Sequence, residues 1–136
     1  MKNLDFRIET QKSVVDRGIM KTIDLEEITQ IAFGLIVHAG DAKSLAQEAI
    51  EASNEYDFAK AKELICKANG ELKAAHEIQT KIVQAEAGGA NYVVTVLLVH
   101  AQDHLSMAMS SMDVAKQILK MNKKIYKLEK SFTEDK

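Results

Sequence analysis

One segment of this chain carries two apolar stripes at once. Val94, Leu98, Ala101, Leu105, Ala108, Met112, Ala115 and Leu119 return at steps of three and four. Val93, Val96, His100, Asp103, Met107, Ser110 and Val114 run beside them at the same period. The first part, Tyr92 to Val99, is rich in β-branched residues and reads locally as a strand, but the period continues far beyond strand length and decides for helix. Two stripes need cover on two sides. The remaining segments suffice for one side only, so a second copy of the chain is expected on the other, giving a homo-oligomer with this helix at its centre.

The rest of the chain supplies two more helices. Asp24 followed by Glu27 resembles a capping box. The stripe Ile28, Ile31, Leu35, Ala39, Ala42, Ala46, Ala49, Ser53 then predicts one long helix ending near Ser53, with Asn54 as its terminator. Gly34 and Gly40 suggest close helix approach. Asp57 caps a second helix, whose seam is Phe58, Ala61, Ile65, Ala68, Leu72, Ala75, Gln79, Ile82 and Glu86, and Gly88-Gly89 stops it. No proline interrupts any of the three helices. The expected fold is all-α, an antiparallel three-helix up-down-up bundle over residues 22–136. Residues 1–21 hold a broken stripe (Leu4, Ile8, Val15, Ile19) and read as an N-terminal extension.

Charge and composition exclude several functions. A formal net charge of -2 leaves no basic footprint for nucleic acid. No apolar run is long enough to span a membrane and the charged N-terminus has no signal-peptide layout, so no direct membrane insertion and a cytoplasmic location are expected. The single cysteine, Cys66, fits a reducing compartment and reads as a helix-face residue. His38, beside the first stripe, reads as an edge histidine with a satisfied hydrogen bond. Lys116, Lys120, Lys123, Lys124 and Lys127 read as a solvated face near a helix C-terminus.

Chemistry is concentrated at His100-Ala101-Gln102-Asp103-His104. The two histidines have the spacing of a helical zinc pair, but the metalloprotease pattern requires glutamate directly after the first, where Ala101 stands. A neutral imidazole is also a nucleophile towards phosphorus, and Gln102, His104 and Gln79 are donors suited to phosphoryl oxygens. His76 and Gln79, one turn apart, either join this polar cluster or simply occupy a helix flank. The apolar run Val93 to Val99 exceeds what a three-helix core consumes, so part of it is expected to rim His100 and receive partner proteins. Asp103 lies in an apolar stripe. Either its charge is compensated, for instance by a hard divalent cation shared between symmetry-related copies, or it is a surface aspartate at an imperfect stripe position.

The segment Val99 to Leu105 resembles the active-site segment of the IIA component of the lactose/cellobiose/chitobiose family, part of the bacterial phosphoenolpyruvate-dependent sugar phosphotransferase system. Gly34-Leu35-Ile36, Ala39 to Ser44, Asp57 to Ala61, Ala75-His76 and Gln79-Thr80-Lys81 resemble the same family, which extends the likeness over roughly Leu25 to Leu128, with Ala101 pointing to cellobiose- or chitobiose-type members. The resemblance implies a trimeric nine-helix bundle and a phosphotransferase activity in sugar uptake. His100 would accept a phosphoryl group from phospho-HPr and pass it to a cysteine of the cognate IIB component. The membrane IIC component would take part only indirectly, and a β-linked disaccharide would be the sugar. His76, Gln79, Gln102 and His104 would line the phosphoryl pocket, and Asp103 would bind one divalent metal ion, Mg²⁺, per trimer. Ser106 departs from the family, where methionine is common, and residues 1–21 lie outside the likeness. A structural helical adaptor and a dedicated metal-binding bundle are the competing readings.

Overall fold

The computed structural model describes residues 23–134. The expectations for residues 1–21 lie outside the described residues. Three helices make up the fold: α1 (Leu25–Asn54), α2 (Phe58–Ala87) and α3 (Val96–Glu134), in the expected antiparallel up-down-up order. α1 lies against both other helices, whereas α2 and α3 meet more sparsely.

Each helix begins where a side chain satisfies an amide that has no intrahelical partner. The Glu27 N–H donates to Asp24 Oδ1 at 2.8 Å and the Lys60 N–H to Asp57 Oδ1 at 3.0 Å. In α3 the Leu98 N–H donates to Thr95 Oγ1 at 3.0 Å, so the helix starts at Val96. That corrects the first stripe, since Val94 precedes the helix and is exposed.

The terminator of α1 also differs from expectation. Asn54 stays helical because its side chain is engaged elsewhere: Asn122 Nδ2 donates to Asn54 Oδ1 at 2.9 Å and to the buried Ser53 Oγ at 3.0 Å. The left-handed position falls instead on Tyr56, with φ 61°. Its ring packs against Phe58 and Tyr126, and its hydroxyl bonds Glu129, which raises the Tyr56 pKa. These contacts hold a conformation that is unusual for a tyrosine. After α2 the turn is made by Gly88 and Gly89, the latter at φ 90°.

The core is thin and rich in alanine. Ile28, Ala32, Leu35, Ala39, Ala42, Ala46 and Ala49 of α1 are buried, and so are Ala61, Ala68, Ala75 and Ile82 of α2, spaced seven apart. From α3 come Leu98, Ala101, Leu105, Ala108, Met112, Ala115 and Leu119, the first stripe without Val94. Small side chains let the helix axes approach closely. At Gly34 an added Cβ would lie 3.2 Å from Ile78 Cδ1, which bears out the close approach there, whereas Gly40 has open space and marks none. On α2, Leu64 is buried and Ile65 only half-buried, a small rotation of the expected seam.

Candidate functional site

With Ala101 and Leu105 buried against α1, helical geometry turns the residues between them away from the core. His100 and Asp103 are exposed, while Gln102 and His104 are half-buried on the flanks. The His100 and His104 rings meet edge to face, centroids 4.5 Å apart and planes at 72°. One helical turn sets this pairing.

Gln102 is held from the second helix. Gln79 Nε2 donates to Gln102 Oε1 at 2.6 Å, a part-buried bond that bridges α2 and α3. With its carbonyl oxygen so occupied, Gln102 keeps its NH₂ group as the donor. The structure therefore gathers the predicted residues as two contacting pairs, Gln79 with Gln102 and His100 with His104. His76 is exposed on α2, and among the described residues no hydrogen bond joins its side chain to this group. His38 is not part of it either: its Nδ1 lies 2.7 Å from Glu71 Oε2, the satisfied edge histidine expected from the sequence. Cys66 is exposed on α2.

Asp103 stands on the open face with Val96, Met107 and Val114, which are 87%, 44% and 52% exposed. In one chain, then, the second stripe is uncovered along its length. Among the described residues no group of three or more His, Cys, Asp or Glu side chains could hold a metal ion within one chain. Asp103 offers a hard oxygen donor suited to Mg²⁺, but only carboxylates from several copies would complete a site. Val93, Val94, Val96 and Val99 are all exposed, an apolar rim around the approach to His100. A cleft of about 420 Å³ between α1 and α2, lined by Ile23, Ile31, Ile78 and Ile82, contains none of the predicted site residues.

Sequence reading missed two parts of the arrangement. Thr95 is the cap that sets where His100 falls in the helix, and a hydroxyl just before an apolar run was the available signal. The Gln79–Gln102 bond joins residues 23 apart and leaves no trace in local spacing.

An accessible imidazole paired with a second histidine, on a helix that also carries an oriented amide and exposed apolar residues, suits a carrier that exchanges a small group with other macromolecules at its surface. It does not resemble a pocket that closes over a small substrate. Comparison with known proteins specifies the class. The family described as "PTS system, Lactose/Cellobiose specific IIA subunit" matches residues 30–123. Over 100 residues, covering 74% of this chain and 91% of the relative, the chain is 44% identical to the lichenan-specific phosphotransferase enzyme IIA component of Bacillus subtilis. The fold is similar to the crystal structure of PtcA from S. mutans, with a TM-score of 0.73, 36% identity, and coverage of 74% of this chain and 99% of that one. It is also similar to the IIA(Chitobiose) structure solved in complex with HPr from Escherichia coli, with a TM-score of 0.65, 33% identity, and coverage of 74% and 97%. The chain belongs to the lactose/cellobiose-specific IIA family of the phosphotransferase system. Among the described residues no helix is long and apolar enough to cross a membrane.

Proposed function

We propose that this protein is a cytoplasmic phosphoryl carrier in sugar uptake and that His100 is the residue phosphorylated. The observation that supports it most is the exposed His100 ring paired edge to face with His104, on the helix whose Gln102 carboxamide is oriented from α2. A ring nitrogen of His100 attacks the phosphorus of phospho-HPr. The new P–N bond forms as the donor's P–N bond breaks, and the donor imidazole leaves with the electron pair. In the second step a cysteine thiolate of the IIB component attacks the same phosphorus, forming P–S as the His100 P–N bond breaks.

Gln102 and His104 supply neutral N–H donors to the phosphoryl oxygens. Neutral donors stabilise the phosphorylated state less than a cation would, which keeps the group transferable. His76, exposed one turn before Gln79, serves the same pocket from α2, in the same chain or a neighbouring one. HPr as donor is supported by the HPr complex of the chitobiose relative. A β-linked sugar of the cellobiose, chitobiose or lactose class is supported by the family and by the lichenan relative. The sugar itself binds the membrane IIC partner, not this chain.

The uncovered second stripe supports assembly as a trimer in which α3 is central and the three Asp103 carboxylates converge. A divalent ion, Mg²⁺, held there would offset their mutual repulsion. Incubation with phosphoenolpyruvate, enzyme I and HPr should add one acid-labile, base-stable phosphoryl group per chain by intact mass. His100→Ala should add none while keeping its helical circular dichroism. Stoichiometric phosphorylation of that variant would place the reaction elsewhere.

A further inference from the structure

Where α2 and α3 meet sparsely they leave a cleft of about 430 Å³, walled by Lys62 of α2 and by Lys116, Lys120, Lys123, Lys124 and Lys127 of α3. Its floor is Ile65 and Leu119, and no carboxylate lines it. In the sequence the five lysines of α3 read as a solvated face, and only the fold adds Lys62. Six of the chain's 18 lysines and arginines thus surround one cleft in a protein of net charge -2.

No side chain neutralises them. Among the described residues none of the six makes an ion pair with a carboxylate. Glu63, beside Lys62 in the chain, is held by Lys67 at 2.6 Å, and Glu129 is bonded by the Tyr56 hydroxyl. Lys123 is half-buried with its ammonium 5.9 Å from the centre of the Phe58 ring. Burial and the neighbouring Lys62 charge hold its pKa below the ordinary lysine value.

The helix ends do not account for the cluster either. The negative pole of a helix acts within its last turn, and Lys127 stands about two turns before the end of α3 at Glu134. Lys62 lies near the start of α2, the pole that disfavours a cation, and beyond the Asp57 cap the first turn of α2 holds no acidic residue to offset it.

We propose that this cleft binds a small anion carrying several phosphoryl groups in a row, an oligophosphate either free or as the tail of a nucleotide. Lys116, Lys120, Lys123 and Lys127 step by four, three and four, a row about 16 Å long at the rise of an α-helix, with Lys62 across from it on α2. A single phosphate is too short to meet more than part of that row, whereas linked phosphoryl groups meet most of it. Ammonium groups are point charges on flexible stems, suited to phosphoryl oxygens at varied positions, and the cleft has no arginine fork for a planar carboxylate. A nucleic-acid strand fits less well, because the adjoining Phe58 ring is packed against Tyr56 and Tyr126 and offers no free face for a base.

The cleft is separate from the residues assigned to phosphoryl transfer. Its nearest α3 lysine, Lys116, lies roughly 24 Å along the helix from His100. At about 100° per residue, Lys116, Lys120, Lys123 and Lys127 stand a third to half a turn round α3 from the stripe of Asp103, Met107 and Val114, so the proposed trimer seam does not use them. The inference therefore stands or falls independently of His100.

Isothermal titration of the full chain with sodium tripolyphosphate, against orthophosphate and citrate in metal-free buffer, tests it. Tripolyphosphate should bind once per chain, at least tenfold more tightly than either reference anion, with an affinity that falls as salt rises. Lys120→Gln combined with Lys123→Gln should weaken it more than tenfold while keeping the parent's helical circular dichroism and its rate of phosphorylation by phospho-HPr. Lys43→Gln combined with Lys73→Gln, the same change in charge outside the cleft, should weaken it less than twofold. Metal-free ATP separates the sources: affinity equal to or above that of tripolyphosphate supports a nucleotide tail, weaker binding a free oligophosphate, and both uphold the site. Tripolyphosphate that binds no better than orthophosphate or citrate would overturn the proposal, as would equal losses in the two double variants. So would tighter binding of a glutamate oligopeptide or of anionic vesicles than of tripolyphosphate, which would give the cleft to a protein segment or a lipid surface.

Discussion

Replacing Gln79 by leucine removes one donor and little volume, and so isolates what the α2–α3 amide bond does for the reaction. The bond is 2.6 Å long and part-buried. A neutral hydrogen bond of this kind contributes about 1 kcal/mol net. If that energy holds the Gln102 carboxamide with its NH₂ group towards the phosphoryl oxygens, its loss raises the transfer barrier by about the same amount. Phosphorylation by phospho-HPr should then slow about fivefold. The cost to folding should stay within about 1 kcal/mol, a few degrees in Tm. Gln79→Glu sharpens the expectation. A carboxylate at position 79 can only accept, so it draws the Gln102 NH₂ group to itself, turns the Gln102 oxygen towards the phosphoryl group and adds a negative charge nearby. It should be slower than Gln79→Leu at equal or better stability. Rapid-quench transfer from phospho-HPr, with thermal melts in parallel, measures both quantities. Equal rates for the parent and both variants would remove Gln79 from the site and leave the bond a structural tie.

Other perturbations read separate parts of the molecule. Val99→Asp should slow exchange with HPr or IIB while leaving Tm nearly unchanged, because Val99 is 56% exposed on the rim of His100; unaltered rates with both partners would refute a docking role. Asn122→Ala should cost about 2 kcal/mol in a denaturant melt, because the fully buried Ser53 hydroxyl loses its donor. The Ser53→Ala, Asn122→Leu pair should cost less, and a single variant within error of the parent would sink this account. A chelator should lower the Tm of the parent, since an ion at 100 times its Kd stabilises by about 2.7 kcal/mol. In Asp103→Leu that response should vanish, and a chelator-sensitive Asp103→Leu would place the metal elsewhere.

What was readable in the sequence follows from where each property resides. Helix caps are local: Asp24 and Asp57 act within three residues, and their geometry is as expected. The buried stripe of α3 is also local, because a 3.6-residue period needs no partner to define a face. Tyr56 and Asn54 were not readable, because the left-handed position follows from bonds to Asn122 and packing on Tyr126, about 70 residues away in the chain. A propensity argument favours asparagine there, and tertiary contacts reversed it.

The same distinction explains the site. Edge-to-face His100 and His104 are an i, i+4 consequence of helix and were implicit in the motif. The amide that orients Gln102 comes from another helix, and only the fold discloses it. Asp103 is the harder case. Its stripe position left a compensated charge and a surface aspartate both open, and in one chain it is exposed together with Val96, Met107 and Val114. The proposed assembly would cover this face with other copies of the chain. A single long helix carries two faces, one buried within the chain against an alanine-rich core, the other uncovered. Since that core is thin, the stability of each chain should depend on the second face, and Tm should rise with protein concentration. A Tm independent of concentration from submicromolar to hundreds of micromolar would mean that the uncovered stripe contributes nothing to folding and is kept open for partners alone.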